Sequence, residues 1–289
     1  MLATLANVKK NGLKECNLKD LLFKTEMIEQ TEFACNSDYA YDIFGYLGEN
    51  QIKTRLNSCS KRYELVLNEN IFPPVRQMLI EKNINFKETY LHLNNARFYA
   101  EYVINDKPYK IIGGNDEIFP MLKVQHSYNG LTKYMITFGY YRLVCTNGLT
   151  IPVKEKDEFN LAIIGKHTIS IKESISKLFN VVDLFVEQGN KYVINFDYLA
   201  ERAVNNLDDR LKEVMGFAKI TIVENNNFNT IDYIGGIVRK EANSLYNGQI
   251  NDFLVYNGIN QYINNNELNI KAPEVRAESD KKVLQYMLG

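Results

Sequence analysis

The sequence predicts an α+β fold, with a twisted antiparallel sheet from the middle of the chain covered by C-terminal helices. Between residues 61 and 165, apolar and polar side chains alternate in short segments separated by Asn- and Gly-containing turns. This alternation is typical of half-buried strands. After residue 166 the apolar residues recur every three to four positions, which is the period of amphipathic helices. Strands followed by helices indicate the α+β class.

The chain is expected to have three parts. Residues 1–60 form a mixed, acidic N-terminal segment, residues 61–165 a strand-rich basic core, and residues 166–289 a helical C-terminal part. No stretch rich in Pro, Gly or Ser separates the last two parts. We therefore expect them to form one structural unit.

Local signals define the elements of the first two parts. Asn17 to Phe23 favours a short helix, whereas residues 38–47 are aromatic-rich without a clean period and receive no function. Pro73-Pro74 suits a first helical turn. Asn94-Asn95 and Asn129-Gly130 predict hairpins. Together these signals predict strands at 62–67, 86–93, 97–104, 121–128 and 132–138, and a helix at 75–82.

The Asn129-Gly130 hairpin carries a sharper expectation about its two faces. Apolar residues occupy even positions in both strands, and they share a face only if the loop has an odd number of residues. A three-residue loop, 128–130 with a left-handed Gly130, satisfies this, whereas a two-residue loop puts Lys123 opposite Ile136. The predicted core face contains Leu122, Val124, His126, Tyr128, Tyr134, Ile136 and Phe138. The polar face, an ordinary solvated surface or a binding surface, contains Lys123, Gln125, Lys133 and Thr137.

The third part is predicted to be mostly helical. Apolar spacing predicts the first helix, Gly216 is a plausible stop, and capping-type residues open the two helices that follow it. The last helix is amphipathic and is expected to fray unless it docks on a neighbouring subunit. The predicted helices are 169–186, 195–206, 208–215, 230–246, 252–263 and 277–288.

Composition excludes some classes of protein. No run of 18 apolar residues occurs, so we expect no membrane span, and the N-terminus lacks the order of charges typical of a signal peptide. The four cysteines are far apart with no C-x-x-C pair. Reduced thiols in a cytoplasm fit this spacing best.

Searches for catalytic motifs give a consistent negative result. The Gly113-Gly114 turn lacks the following Lys-Ser/Thr of a phosphate-binding loop. His92, His126 and His167 have no metal-ligand spacing, and Cys145 lies in an apolar segment that favours an inert thiol. We therefore expect a protein that is not an enzyme, with no cofactor and no metal.

Charge is unevenly distributed along a chain whose net charge is −1. Residues 51–154 contain 14 Lys+Arg and 8 Asp+Glu, whereas the segments on both sides are acidic. A basic middle of this kind either binds a polyanion or forms a solvated sheet face whose charges pair with the flanks.

Three segments resemble the phage/plasmid-like family of uncharacterised proteins, domain of unknown function nine-three-two. They are 60–66 (SKRYELV), 142–148 (RLVCTNG) and 252–262 (DFLVYNGINQY), and the last has Asn260 where a threonine is usual. The resemblance implies a phage, plasmid or other mobile-element origin. It also implies a distant relation to phage single-strand annealing proteins, which bind single-stranded DNA in a basic groove and assemble into rings or filaments.

The resemblance and the basic middle together predict a site for single-stranded DNA. Such a site needs cations for phosphates and flat side chains for bases, although tyrosines in strands also serve as core residues. The candidate cations are Lys61, Arg62, Lys107, Lys110, Lys123, Lys133, Arg97 and Arg142, and the candidate stacking residues are Tyr109, Tyr140 and Tyr141.

Three functional classes follow. The first is a non-enzymatic DNA-binding protein that anneals single strands in recombination or replication and acts as a homo-oligomer in the host cytoplasm. The second is a virion-associated or host-interaction (anti-defence) protein, whose basic face meets protein or solvent. The third is a metal-dependent nuclease, for which no paired-carboxylate spacing is present.

Overall fold

The computed structural model describes residues 13–30, 40–105, 108–131, 134–142, 147–150, 162–165, 190–225, 228–264 and 273–289. These residues form antiparallel sheets and C-terminal helices, which confirms the predicted α+β class. They divide into two compact units. The first unit takes its residues from 1–106, 122–137 and 158–183, and the second takes its residues from 107–121, 138–157 and 184–289.

The first unit contains a main antiparallel sheet. Its hydrogen-bonded order is β1-β5-β6-β8-β9, with β11 also paired to β9. The strands are β1 (Leu13–Cys16), β5 (Phe86–Leu93), β6 (Arg97–Ile104), β8 (Asp116–Ser127), β9 (Tyr134–Arg142) and β11 (Ala162–Gly165). Strands β8 and β9 pass from one unit to the other at 121/122 and 137/138.

A second, three-stranded sheet in the first unit was not predicted. Its strands are β2 (Thr25–Glu29), β3 (Tyr41–Leu47) and β4 (Ile52–Cys59), in the order β2-β3-β4. A bulge between Ile43 and Phe44 shifts the register against β4. Position 45 requires glycine, because a Cβ atom there would lie 2.7 Å from the ring of Phe23. Segment 38–47 shows no clean period because aromatic residues occupy both odd and even positions, Tyr41 as well as Phe44 and Tyr46.

The core of the first unit lies between its main sheet and one helix. Helix α1 (Leu18–Leu21) is short, and helix α2 (Phe72–Glu81) has prolines in its first turn, as predicted. Helix α2 buries Val75, Met78 and Leu79. Edge-on aromatic contacts link Phe72 to Tyr90 and Tyr90 to Tyr102.

Both predicted hairpins form. Strands β5 and β6 have the predicted bounds, and Asn94 and Asn95 both adopt positive φ. In β8 and β9 the even positions from Leu122 to Phe138 are buried, which confirms the predicted core face. Gly130 is left-handed with a φ of 68°. The connection is longer than the predicted three residues, because β8 ends at Ser127 and β9 begins at Tyr134.

The second unit is mainly helical. Its strands are β7 (Tyr109–Ile111), β10 (Asn147–Thr150), β12 (Glu224–Asn225) and β13 (Phe228–Asn229), together with the parts of β8 and β9 named above. Its helices are α3 (Asn190–Glu201), α4 (Leu207–Phe217), α5 (Thr230–Leu245), α6 (Asp252–Asn264) and α7 (Pro273–Leu288). Helix α6 is buried nearly all round, as expected of a central helix. Gly258 lets α5 approach it, since a Cβ atom there would lie 2.7 Å from Val238.

Asparagine side chains begin three of these helices. Asn206 accepts a hydrogen bond from the amide of Asp209, Asn229 from Ile231, and Asn251 from Leu254. Such caps satisfy amides that have no partner within the helix.

Some predicted elements differ from the structure. Residues 62–67 form a turn and an extended segment instead of a strand, and a short 3-10 helix follows at Asn68–Asn70. The predicted helix 169–186 lies outside the described residues. The compact units do not follow the expected boundaries at 60/61 and 165/166. That residues 61–165 and 166–289 form one structural unit stays a prediction.

Candidate nucleic-acid interface

A basic turn, Lys61-Arg62, follows β4 in the first unit. The turn is closed by hydrogen bonds from the amides of Tyr63 and Arg62 to the backbone and side chain of Ser60. Both basic side chains are exposed. Neither forms an ion pair with another residue in the described part of the chain. The turn therefore presents two available cations to solvent.

Buried hydrogen bonds fix the chain just after this turn to one end of the main sheet. The amide of Asn68 donates to the hydroxyl of Tyr128 at 2.9 Å, and the amide of Tyr128 donates to the carbonyl of Ala96 at 2.8 Å. The side chain of Asn68 also contacts Nδ1 of His126 at 2.9 Å. Arg97 follows Ala96 directly, so it belongs to the same end of the sheet as these contacts.

Arg97 and Lys123 lie on the face of the main sheet that is opposite the core. Their neighbours Phe98, Leu122 and Val124 are buried, and alternate strand residues point to opposite faces. Lys123 forms an ion pair with Glu101 at 3.6 Å, and both side chains are about one third exposed. The first unit thus contains Lys61, Arg62, Arg97 and Lys123, and Lys123 is partly neutralised by Glu101.

The other predicted site residues in the described chain belong to the second unit. Lys110 is exposed on β7, opposite Glu117. Tyr109 is half-buried, with its ring edge-on to Tyr140 at 5.9 Å, and burial raises the pKa of its hydroxyl. Tyr141 is half-buried on β9. Lys107 and Lys133 lie outside the described residues.

Two predicted site residues are wrong as surface contacts. Tyr140 and Arg142 have no solvent-exposed area. Tyr140 packs edge-on against Phe196 of α3 at 5.8 Å, so its ring is unavailable for base stacking. The even-position periodicity of β9 accounts for both, because it turns these residues toward the core.

Arg142 is instead the centre of a buried ion cluster in the second unit. Its Nε donates to Asp116 at 2.8 Å, a second guanidinium nitrogen contacts the same carboxylate, and a third donates to Glu241 at 2.6 Å. The guanidinium carbon lies 5.4 Å from the centre of the Phe253 ring. Tyr246 donates to Asp116 at 3.4 Å, and burial strongly raises the pKa of that hydroxyl. We call Arg142, Asp116, Glu241 and Tyr246 the Arg142 cluster.

The sequence contained no short-range signal for this cluster. Asp116 and Glu241 lie 26 and 99 positions from Arg142 in the sequence. The alternation in β9 was the one available signal, since it placed residue 142 on the apolar face. A buried arginine must find carboxylate partners.

A second arginine cluster lines an open cavity of about 280 Å³ in the second unit. Arg210 donates to both carboxylate oxygens of Asp252 at 2.9 Å, and Arg202 pairs with the same carboxylate at 3.1 Å. Hydrogen bonding to Asp252 raises the pKa of Arg210. Glu213 also pairs with Arg210. These arginines are neutralised internally, so the cavity is a poor anion site.

A metal site was not expected, and the described residues contain no group of three or more His, Cys, Asp or Glu placed to hold an ion. The same residues contain no helix that is long and apolar enough to cross a membrane. Of the three histidines, His126 is buried, His92 is half-buried, and His167 lies outside the described chain.

The comparisons with known proteins define the class of the chain. A family model, Domain of unknown function (DUF932), matches residues 55–284, which is most of the chain and includes parts of both units. The chain therefore belongs to the DUF932 family. No curated protein and no solved structure matches it.

Proposed function

We propose that this chain is a non-enzymatic DNA-binding protein of a phage or other mobile element, which binds and anneals single-stranded DNA during recombination or replication. It acts as a homo-oligomer, a ring or a filament, in the cytoplasm of the host cell. The observation that carries the proposal is the exposed Lys61-Arg62 turn, which has no ion pair within the described chain. Six residues after Arg62, Asn68 is hydrogen-bonded to the end of the main sheet where Arg97 also lies.

The physical support comes from the way single-stranded nucleic acid binds. Phosphates bind cations that remain in solvent, and the counterions released on binding make the affinity fall with salt. Lys61 and Arg62 meet this requirement, and Arg97 and Lys123 extend the cations over the polar face of the sheet. Residues 123 and 128 are five positions apart, which corresponds to roughly 17 Å along an extended chain at 3.4 Å per residue. That length accommodates several phosphates of an extended strand.

Fluorescence anisotropy of a labelled single-stranded oligonucleotide, measured at low and moderate salt, tests the proposal. We expect binding that weakens steeply with salt and that duplex DNA competes poorly. The double variant Lys61→Glu/Arg62→Glu should bind at least tenfold more weakly and show a shallower salt dependence, because two phosphate contacts are removed.

The matched control is Lys212→Glu/Lys240→Glu, which changes the net charge by the same amount at two exposed lysines of the second unit. It should bind like the native chain. Equal losses in both variants would indicate a response to net charge alone and contradict the assigned position. Absence of binding by the native chain at low salt would overturn the proposal and favour a virion-associated or host-interaction protein.

A further inference from the structure

The outer face of the three-stranded sheet combines flat rings with exposed cations. The central strand, β3, carries Phe44 and Tyr46 two residues apart on this face, and both rings are half-buried. Register places Phe44 between Glu26 and Arg55, and Tyr46 opposite Lys53. Gly45, between the two aromatic residues, faces Phe23 and Leu56 on the inner side.

The β-bulge makes this arrangement possible. Opposite Ile43 and Phe44, β4 contributes Asn57 and Arg55, so Leu56 is the extra residue. The extra residue brings Arg55 and Ser58 to the same face, where their side chains are hydrogen-bonded. Without the bulge, the side chain of Ser58 would point to the same face as that of Leu56, which is the inner one. Bulges often change the direction in which a side chain points near a functional site.

Ammonium groups lie over both rings. Nζ of Lys53 is 4.5 Å from the centre of the Phe44 ring and 5.8 Å from that of Tyr46, and Nζ of Lys24 is 4.6 Å from the Tyr46 ring. Both lysines remain substantially exposed. Exposed cation–π contacts are weak, so a base can displace an ammonium from a ring and leave it free to pair with the adjoining phosphate.

The acids of this face are already hydrogen-bonded within it. Glu26 accepts a hydrogen bond from the hydroxyl of Tyr46 and pairs with Lys53 at 3.0 Å. Asp42 accepts from Gln30 at 2.8 Å and from Ser58 at 2.6 Å, and pairs with Arg55. Lys24 also pairs with Glu26, at 3.8 Å. Three cations and two carboxylates leave the face with a net charge of +1, and the two lysines lie over the rings.

We infer that this face is a base-stacking surface for single-stranded DNA, in which Phe44 and Tyr46 each stack one base while Lys24, Lys53 and Arg55 bind the flanking phosphates. Antiparallel sheets with exposed aromatic residues stack bases in several nucleic-acid-binding modules. The inference rests on the proposed function and extends it to a surface whose two aromatic residues precede the basic middle. Phe44 and Tyr46 also precede the residues that match the family model.

The experiment uses the absence of tryptophan from the chain. Phe44→Trp keeps a flat ring in place and supplies one fluorescent reporter, which a stacked base quenches. Titration with an oligothymidylate should quench the fluorescence, and an abasic oligonucleotide of equal length should leave it unchanged. Tyr198→Trp, at an exposed helical position of the second unit, is the control and should respond to neither.

Affinity measurements complete the test. Phe44→Leu/Tyr46→Leu should lose about ten- to a hundredfold in affinity for oligothymidylate and nothing for the abasic strand. Tyr46→Phe keeps the ring and should bind oligothymidylate like the native chain. An unquenched reporter on a chain that binds oligothymidylate, with Lys61→Glu/Arg62→Glu still impaired, would overturn this inference and leave the proposed function intact. A native chain that binds neither strand would overturn both.

Discussion

Arginine 142 and the Lys61-Arg62 turn belong to the same basic middle of the sequence, yet their surroundings are opposite. Arg142 is fully buried in the second unit and contacts two carboxylates. Lys61 and Arg62 are exposed in the first unit and form no ion pair within the described chain. A count of positive charges treats these residues alike. Burial separates them, because a buried cation needs an internal partner and an exposed one is available to a ligand.

The largest expected difference between the two regions is in stability. Arg142→Met removes the only cation that contacts Asp116 and Glu241 within the described cluster and leaves two buried carboxylates uncompensated. We expect the free energy of unfolding to fall by about 3–5 kcal/mol, as measured by chemical denaturation. Lys110→Met, at an exposed position of the same unit, should change it by no more than about 0.5 kcal/mol.

A rescue variant shows whether uncompensated charge causes the loss. Combining Arg142→Met with Asp116→Asn and Glu241→Gln removes all three charges, so we expect at least half of the lost stability to return. A triple variant no more stable than Arg142→Met would assign the loss to packing around Phe253. A small loss in Arg142→Met itself would mean that the cluster is hydrated, and the comparison between the two regions would fail.

Glycine substitutions probe the packing of the Arg142 cluster more gently. A Cβ atom at Gly114 would lie 2.5 Å from the ring of Tyr246, whose hydroxyl donates to Asp116. Gly114→Ala must displace that ring and should cost about 1–3 kcal/mol of unfolding free energy. Gly236→Ala, in helix α5 with no atom within 4 Å of the added Cβ, should instead stabilise by about 0.5–1 kcal/mol. Thermal denaturation that gives both changes the same sign would contradict the tight packing around Tyr246.

The difference between the two regions also explains what the sequence predicted well. Alternation in β6, β8 and β9 predicted the core face because a strand's side-chain period is fixed by its backbone. Asparagine-containing turns predicted the hairpins, because the geometry of a turn also depends on residues that are adjacent in the sequence. The partners of Arg142 were not predictable, since Asp116 and Glu241 are brought to it by tertiary folding. The three-stranded sheet was missed because β3 has aromatic residues on both faces and the extra residue Leu56 interrupts the alternation of β4.

The exposed turn should show the converse of the Arg142 result. Lys61→Glu/Arg62→Glu removes no ion pair within the described chain, so we expect an unfolding free energy within about 0.5 kcal/mol of the native value. Chemical denaturation of the same preparation used for DNA binding measures this directly. A loss of binding accompanied by a large loss of stability would mean that the turn supports the fold, and its assignment as a ligand contact would be withdrawn.

The smallest expected effect concerns pH and the outer face of the three-stranded sheet. The hydrogen bond from Tyr46, and after it Lys53, lowers the pKa of Glu26 below its ordinary value of 4.5. A carboxyl with a lowered folded-state pKa contributes stability that is present above the unfolded-state pKa and is lost as the pH falls through the folded-state pKa. Tyr46→Phe removes the main donor, so the pKa of Glu26 should rise toward its ordinary value.

Carbon-13 NMR titration of the Glu26 carboxyl follows this change directly, with Tyr198→Phe as a control that leaves it unaltered. Because Glu26 is solvent-accessible, the accompanying change in stability should be small and confined to acidic pH. Base binding should be unaffected at neutral pH, where the Glu26 carboxylate is ionised in both chains. An unchanged pKa in Tyr46→Phe would show that Lys53 alone holds the carboxylate. Lys53 would then be held by Glu26 and would be less available to bind a phosphate beside the stacked bases.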